Sequence, residues 1–421
     1  MQAAASSPAT GQPSHHHGRG RDIRICALIG TGHFLSHFYM LCLPPLFLSW
    51  REEFGVSYAA LGLVVALMSG TTAALQTPVG FWVDRHGARP FLIGGTLLMA
   101  LSVAGMGLAP GFWMILVLAV LSGVGNSVIH PADYAILAGS IDKGFMGRAF
   151  ALHTFTGNLG FALAPPTIAL MLHFMDWRAA LSVVGLLGVP VVGAILLQSR
   201  VLHDQPKPKK KEAGPTGRAL LLSRPMLLFF AFFLLSSMAG SGVQAWLVTV
   251  LGKLWGTPVL VASSALTGYM VGATAGTLVG GWMADRAKRS LLGTVILLTL
   301  GAMALLLLPG LVALPDALLS AVAVLAGLAL GTSRTPRDVM LRNASPPGEI
   351  GKVFGFVSAG LPLGSAITPV PLGLLIDFGY PHLVLPVVAG LLGLSLLCAG
   401  GAEGEARAER RTRAPAVAPA E

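Results

Sequence analysis

The residues able to do chemistry stand in small groups inside otherwise apolar stretches. His33 and His37 are four apart and so share one face of a helix. Asn126, His130 and Asp133 follow at spacings of four and three, again on one face. Arg334, Arg337 and Asp338 form a third group, and Ser237, Ser241, Gln244 and Trp246 a fourth, mainly uncharged one. Ionisable groups within apolar segments are costly and mark pathways for ions or solutes. Histidine titrates near physiological pH, so His33, His37 and His130 are candidate proton carriers, with Asp133 beside them. Each histidine also reads as a neutral, hydrogen-bonded core residue. Arg334 lies one turn from Asp338, so an internal ion pair is its plainest explanation. Two arginines against one carboxylate still leave a surplus positive charge, and guanidinium groups fork carboxylates and phosphate-like groups. His153 is a further candidate, and His173 falls at the expected outer surface.

The elements that must position these residues are long apolar runs. The chain has 421 residues, of which 54% are hydrophobic and only 11% charged, with a mean hydropathy of +0.74. A soluble domain carries about a quarter charged residues. Apolar runs recur from Ile25 to Cys398, and a helix needs roughly 20 apolar residues to cross a bilayer. The runs predict twelve spans, near 25–48, 58–83, 90–109, 112–138, 147–173, 179–199, 225–251, 258–284, 290–309, 315–340, 350–376 and 382–400. The polar, Pro-broken and basic stretch 200–224 divides them six and six. The expected organisation is a cytoplasmic tail (1–22), a first six-helix bundle (23–199), a cytoplasmic linker (200–224), a second bundle (225–400) and a second tail (401–421), both tails being disordered. No signal-peptide cleavage pattern stands out, so the first run is expected to act as an uncleaved insertion signal. The His15–His17 run reads as part of the disordered tail rather than as a metal site.

The net charge of +10 does not imply nucleic acid. Of the basic residues, Arg51, Arg178 and Lys253 fall in loops assigned to the outer side, and nearly all others flank the opposite ends. That is the positive-inside pattern, and it puts both termini in the cytoplasm. Cys26, Cys42 and Cys398 lie within spans and form no disulfide framework.

The two bundles repeat. Gly80-Phe-Trp-Val-Asp84-Arg85 matches Gly281-Trp-Met-Ala-Asp285-Arg286 at an offset of 201. Pro131-Ala-Asp133 matches Pro336-Arg-Asp338 at 205, and Gly147-Arg148-Ala-Phe150 matches Gly351-Lys352-Val-Phe354 at 204. Gly160 and Pro165 match Gly364 and Pro369, again at 204. Parallel repeats with a site at the midplane between them are a transporter architecture. Features kept in both halves, such as Asp133 and Asp338, read as structural. Asymmetric positions read as contacts for cargo: Arg334 aligns with Ile129, Arg337 with Ala132 and His130 with Thr335.

The segment Gly80-Phe-Trp-Val-Asp84-Arg85-His-Gly87-Ala-Arg89-Pro90 resembles the G-x-x-x-D-R-x-G-R-[RK] loop of the major facilitator superfamily, with Ala88 in one basic position. The second copy has Lys288 where the later glycine would stand. Gly32-His33-Phe-Leu-Ser-His37-Phe-Tyr39, Leu43-Pro44-Pro45 and His130-Pro131-Ala-Asp133-Tyr134 are similar to the fosmidomycin-resistance-type branch, whose members export drugs. The resemblance implies an all-α membrane protein of twelve transmembrane helices in two pseudo-symmetric bundles, with spans one, four, seven and ten lining a central cavity. On those spans the candidate solute contacts are Arg334, Arg337, His33, His37, Asn126, Gln244 and Trp246. It also implies a conformational latch at Gly80, Asp84, Arg85, Gly87, Arg89, Asp285 and Arg286, extended by Asp133 and Asp338 if each pairs with the loop arginines of its own half. The run Gly157, Gly160, Ala164-Pro165-Pro166 faintly resembles the superfamily's exporter motif, and it reads equally as a packing surface.

The expected function is secondary active transport of a small organic, anionic or amphiphilic solute, proton-coupled and directed outward. Uptake of an organic anion and a sensor or scaffold on the same fold are the alternatives. No H-E-x-x-H, G-x-S-x-G, P-loop or Cys/His metal cluster is found, so no enzyme, cofactor or metal site is expected. The partners expected are the lipid bilayer, the solute and protons, not nucleic acid. The protein is expected as a monomer in a bacterial inner membrane.

Overall fold

The computed structural model describes residues 19–142, 145–202, 220–286, 291–346 and 350–413; the side chains of 19, 84, 147, 284–286, 350–352 and 407–413 fall outside that description. Among the described residues twelve helices are long and apolar enough to cross a membrane. They are α1 (Gly20–Phe54), α2 (Tyr58–Val83), α3 (Ala88–Met106), α4 (Phe112–Ser140), α5 (Arg148–Phe174), α6 (Trp177–Val201), α7 (Arg224–Trp255), α8 (Val259–Met283), α9 (Leu291–Leu311), α10 (Asp316–Ala344), α11 (Val353–Asp377) and α12 (Pro381–Ala406). Large apolar side chains such as Leu197, Leu278 and Leu297 are exposed on their outer faces, as lipid-facing positions would be.

Local sequence accounts for the helix ends. Ser57 caps α2 by accepting from the Ala60 amide at 3.1 Å, and Asp176 caps α6 through the Ala179 amide at 2.7 Å. α1 and α7 both stop at a left-handed glycine, Gly55 (φ +63°) and Gly256 (φ +65°), 201 residues apart like the signature loops. Glycine takes this conformation without the steric cost a side chain would bring. Within α4 the helix breaks at Val128. Pro131 has no amide hydrogen to offer the carbonyl four residues back.

The pairing of helices repeats between halves. α1 packs on α5 as α7 packs on α11, α2 on α4 as α8 on α10, and α3 on α6 as α9 on α12. The α8–α10 seam is built on small residues: Gly272, Gly276 and Gly280 lie against the α10 backbone, and Gly327 and Gly331 against that of α8. Absent side chains let two backbones approach closely, which drives helix association where no water is present.

The halves meet through α2 with α11 and α5 with α8. The α2–α11 seam is at the side opposite the termini, where Gly62 abuts the Pro369 carbonyl and Gly373 the Tyr58 carbonyl. One apolar core runs through both halves there and includes Phe47, Trp50, Tyr58, Trp246 and Leu372. A separate apolar cluster at the terminal ends of the second half, around Phe229, Met340, Val353 and Leu396, holds no residue of the first half among the described residues. The halves are therefore joined on one side and separately packed on the other.

Two boundaries differ from expectation. α1 extends through Phe54, and the final helix runs on to Arg413 rather than ending at 400. The sequence after Gly401 is rich in Ala, Glu and Arg, all strong helix formers, and Glu405 pairs with Arg224 at 2.9 Å. The expected tail at 1–18, most of the linker (203–219) and the tail at 414–421 lie outside the described residues.

Candidate functional site

The second half holds a cavity of about 290 Å³. α7 contributes Ser237, Ser241 and Gln244 to its wall, α8 Tyr269, and α10 Arg334 and Arg337. A smaller cavity of about 180 Å³ adjoins it, shares Ser241, Gln244 and Ser365, and is closed by apolar residues of the first half, including Met40, Val65, Met68 and Phe161. Gln244 thus stands where a polar chamber meets an apolar one.

The two arginines are held differently. Arg337 reaches Asp338 with Nε at 3.0 Å and Nη2 at 2.9 Å, and its guanidinium lies 4.0 Å from the Phe233 ring centroid. Arg334 has neither hydrogen bond nor ion pair among the described residues, although it lines the cavity. This corrects the expected Arg334–Asp338 pair: Arg337 occupies the carboxylate instead. The result keeps the expected surplus charge and assigns it to Arg334. Ser237 and Ser241 donate to the Leu361 and Ser365 carbonyls and tie α7 to α11.

Three other expected contacts stand elsewhere. Trp246 is fully buried, donates from Nε1 to the Pro369 carbonyl at 2.9 Å and packs on Phe47 and Tyr58. It belongs to the seam between halves and not to the cavity wall. Asn126 is buried and donates to Thr72 Oγ1 at 3.2 Å, fastening α4 to α2. Asp133 does not pair with a loop arginine here; its Oδ2 lies 2.9 Å from His153 Nε2, in full burial.

That pair belongs to a histidine cluster in the first half. The His33 ring stacks on His153 with centroids 3.7 Å apart, and lies 4.4 Å from His37 and 5.1 Å from His130. α1 places His33 and His37 on one face, α5 supplies His153, and the break in α4 delivers His130. Gly157 leaves the room, because a Cβ there would strike both the His33 and His37 rings. His153 is the member whose importance the sequence understated. Its spacing of four from Gly157 puts both on one face of α5, and that face was the available signal.

The signature loop follows α2. Arg85 and Arg89 are exposed, and Gly87 has φ +88°, the turn that the loop's glycine serves. The side chains of Asp84, Asp285 and Arg286 lie outside the described residues. Asp338, expected to pair with the loop arginine of its own half, Arg286, is held by Arg337.

The side opposite the termini carries its own polar fastening. Asp377 of α11 accepts from the Tyr58 and Ala59 amides at 2.7 and 2.8 Å, across the seam, and stands 3.6 Å from Arg51. Glu53 accepts from Trp177 Nε1 and from Arg178, and Lys253 of the second half lies 5.6 Å from the Tyr58 ring centroid. All three basic residues assigned to that side are thus engaged.

Comparison with known proteins agrees with this architecture. The family model described as "Major Facilitator Superfamily" matches residues 29–257 and again 247–419, one match per half. The fosmidomycin resistance protein of Escherichia coli (strain K12) is 25% identical over 385 residues, covering 89% of this chain and 91% of that protein. The multidrug resistance protein MdtH of Aeromonas hydrophila subsp. hydrophila is 24% identical over 378 residues, 85% and 90% of the two chains. Among solved structures, a bacterial homolog of the human lysosomal transporter Spinster, inward-facing and unoccupied, superposes with a TM-score of 0.76 at 14% identity over 96% of this chain and all of that one.

Proposed function

The chain belongs to the Major Facilitator Superfamily, and from that premise we propose that it is a secondary active transporter exporting a small organic anion or amphiphile by alternating access, with protons as the coupling ion. The observation that carries this reading is Arg334, a guanidinium on the wall of a polar cavity with no hydrogen bond or ion pair among the described residues. Arg334 is half-buried and its donors face the cavity, so a bound carboxylate, sulfonate or phosphonate would meet it with a bidentate hydrogen bond. The adjoining apolar chamber suits a hydrocarbon portion. Export is supported by the resistance proteins to which the chain is similar along most of its length. With both termini cytoplasmic, the joined side faces outward and the described state is inward-facing. Rocking about α2–α11 and α5–α8 would open the other side, with the signature loop as the latch that then closes. Asp133 and the histidines around it are the groups to which proton coupling is assigned.

A thermal-shift screen of the purified protein against organic anions would identify ligands by stabilisation. Arg334→Gln should then weaken binding of such an anion at least about tenfold, the scale of one lost charged hydrogen bond. Wild-type affinity in both Arg334→Gln and Arg337→Gln would refute an anionic substrate.

A further inference from the structure

The first half contains a second set of ligand-directed atoms, separate from the anion cavity. One nitrogen from each of His33, His37 and His130 lies within 4.8 Å of the others. His33 is 3% exposed, while His37 and His130 are partly exposed, so the group is deep yet reachable.

Hydrogen bonding around His33 decides what its ring can do. Nδ1 lies 2.8 Å from the His153 carbonyl. A carbonyl only accepts, so Nδ1 carries the hydrogen and Nε2 of the neutral ring keeps its lone pair. That Nε2 is buried without a hydrogen-bond partner, and so is Nδ1 of His37. Buried polar atoms without partners are rare and call for a ligand. Tying one imidazole nitrogen to a carbonyl so that the other is free is the arrangement that supports histidines bound to metals. Behind it, Asp133 holds His153 through Oδ2 and keeps its Oδ1 buried and unpartnered, which places a carboxylate next to the site.

We propose that His33, His37 and His130 form a tris-imidazole site for a first-row divalent transition metal such as Zn²⁺. Imidazole nitrogens bind such ions at about 2.0–2.1 Å, and three protein ligands leave a fourth position open. A tetrahedral centre of that radius sets its nitrogens roughly 3.3 Å apart. The separations of up to 4.8 Å close to that value by small side-chain rotations. Gly157 keeps the space for those rotations, and Asp133 offsets part of the cation's charge. The expectation of no metal site rested on contiguous motifs; these ligands come from two spans, nearly a hundred residues apart.

The test uses purified full-length protein with His15, His16 and His17 replaced by alanine, so that the N-terminal run does not compete. Co²⁺ is titrated and its visible absorption followed. The proposal expects one equivalent with the intense bands of a four- or five-coordinate nitrogen site, bleached by Zn²⁺. His37→Gln and His130→Asn should each weaken Co²⁺ binding at least about tenfold, with gel-filtration profile and thermal midpoint recorded as controls for folding. His130→Asn, at a partly exposed position, is the variant expected to keep the fold. Arg334→Gln should bind Co²⁺ as the parent does. No bands in the parent, or unchanged bands in His37→Gln and His130→Asn, would overturn the site. The transport reading stands or falls separately, because Arg334→Gln is expected to impair anion binding and to leave the metal signal alone.

Discussion

Asp377→Asn isolates the fastening that joins the two halves. The carboxylate accepts two amide hydrogens at the first turn of α2, at 2.7 and 2.8 Å, and is only 17% exposed. Hydrogen bonds to a charged group contribute about 1.5–3 kcal/mol each, and a negative charge at a helix N-terminus about 0.3–1 kcal/mol more. The Arg51 contact is long, at 3.6 Å, with Arg51 itself 39% exposed, and such a pair contributes about 0–1 kcal/mol. The amide caps therefore dominate, not the ion pair. Asparagine keeps one acceptor oxygen but loses the charge and turns an N–H group towards an N–H donor. Water would replace part of the loss once the seam opens, so a net shift of about 1–2 kcal/mol towards separation is expected, a factor of roughly 5 to 30 in the open-to-closed ratio. The assay is a spin-label distance between Glu52→Cys and Tyr380→Cys, both at exposed positions flanking the seam, with the three native cysteines replaced. Asp377→Asn should populate a longer distance, Asp377→Glu much less, and Arg51→Gln least of all. An unchanged distribution for Asp377→Asn would refute the assignment. An Arg51→Gln effect equal to it would show that the ion pair, not the cap, does the holding.

Other substitutions probe the remaining parts. Gly373→Ala puts a methyl group against the Tyr58 backbone and should shift the same spin-label distance in the same direction as Asp377→Asn. Trp246→Phe removes the hydrogen bond to Pro369, which contributes about 1 kcal/mol, so the thermal midpoint should fall while solute affinity holds; lost affinity would restore Trp246 as a solute contact. Asp133→Asn should cut transport driven by an imposed pH gradient at least about a hundredfold, the lower end for a proton-transfer group, while solute binding persists. Transport into proteoliposomes that ignores the gradient altogether would remove proton coupling. Asp84→Ala should leave the protein in the membrane and slow transport, and unchanged kinetics would end the latch reading of the signature loop.

What was legible in the sequence is what the bilayer enforces. A span must be apolar for roughly 20 residues, and its ends must carry charge or turn residues. The twelve helices were therefore readable almost to the residue where Ser57 or Asp176 marks a start, although the stop at Gly55 was set six residues early. Where no such punctuation exists, as after Gly401, composition alone set an end that the helix passes. Within the site, spacing along one helix was also legible: His33 and His37 do share a face, while the asymmetry between halves marked both Arg334 and Arg337 and did not say which of them pairs with Asp338. Spacing cannot say which neighbouring helix a face meets. Asp133 finds His153 because α4 and α5 adjoin, a contact across 20 residues of sequence. Arg337 takes Asp338 although adjacent residues on a helix point apart, because its long side chain folds back over Phe233. Trp246 turns into the seam because Pro369 offers a carbonyl there.

The first two of these corrections share a cause, which bears on how the halves divide their work. The repeat supplied each half with an aspartate at one position, and each half neutralised it with a different partner. Asp133 is fully buried and must be satisfied, whereas the Asp338 side chain is 45% exposed; a histidine and an arginine neutralise the two with opposite consequences. In the first half an imidazole takes Asp133 with three more imidazoles around it, which on the proposed reading suits that half to protons or a cation. In the second half a permanent cation takes Asp338 and leaves Arg334 over, which on the proposed reading suits that half to an anion. Gln244, Ser241 and Ser365 lie where the polar chamber meets residues of the first half. On the proposed reading a solute there is held by the second half and released as the seam moves. Replacing His153 by arginine, which would give the first half the second half's solution, should therefore keep the fold's carboxylate satisfied and still abolish coupling. If coupling survived that exchange, the division of labour between the halves would be wrong.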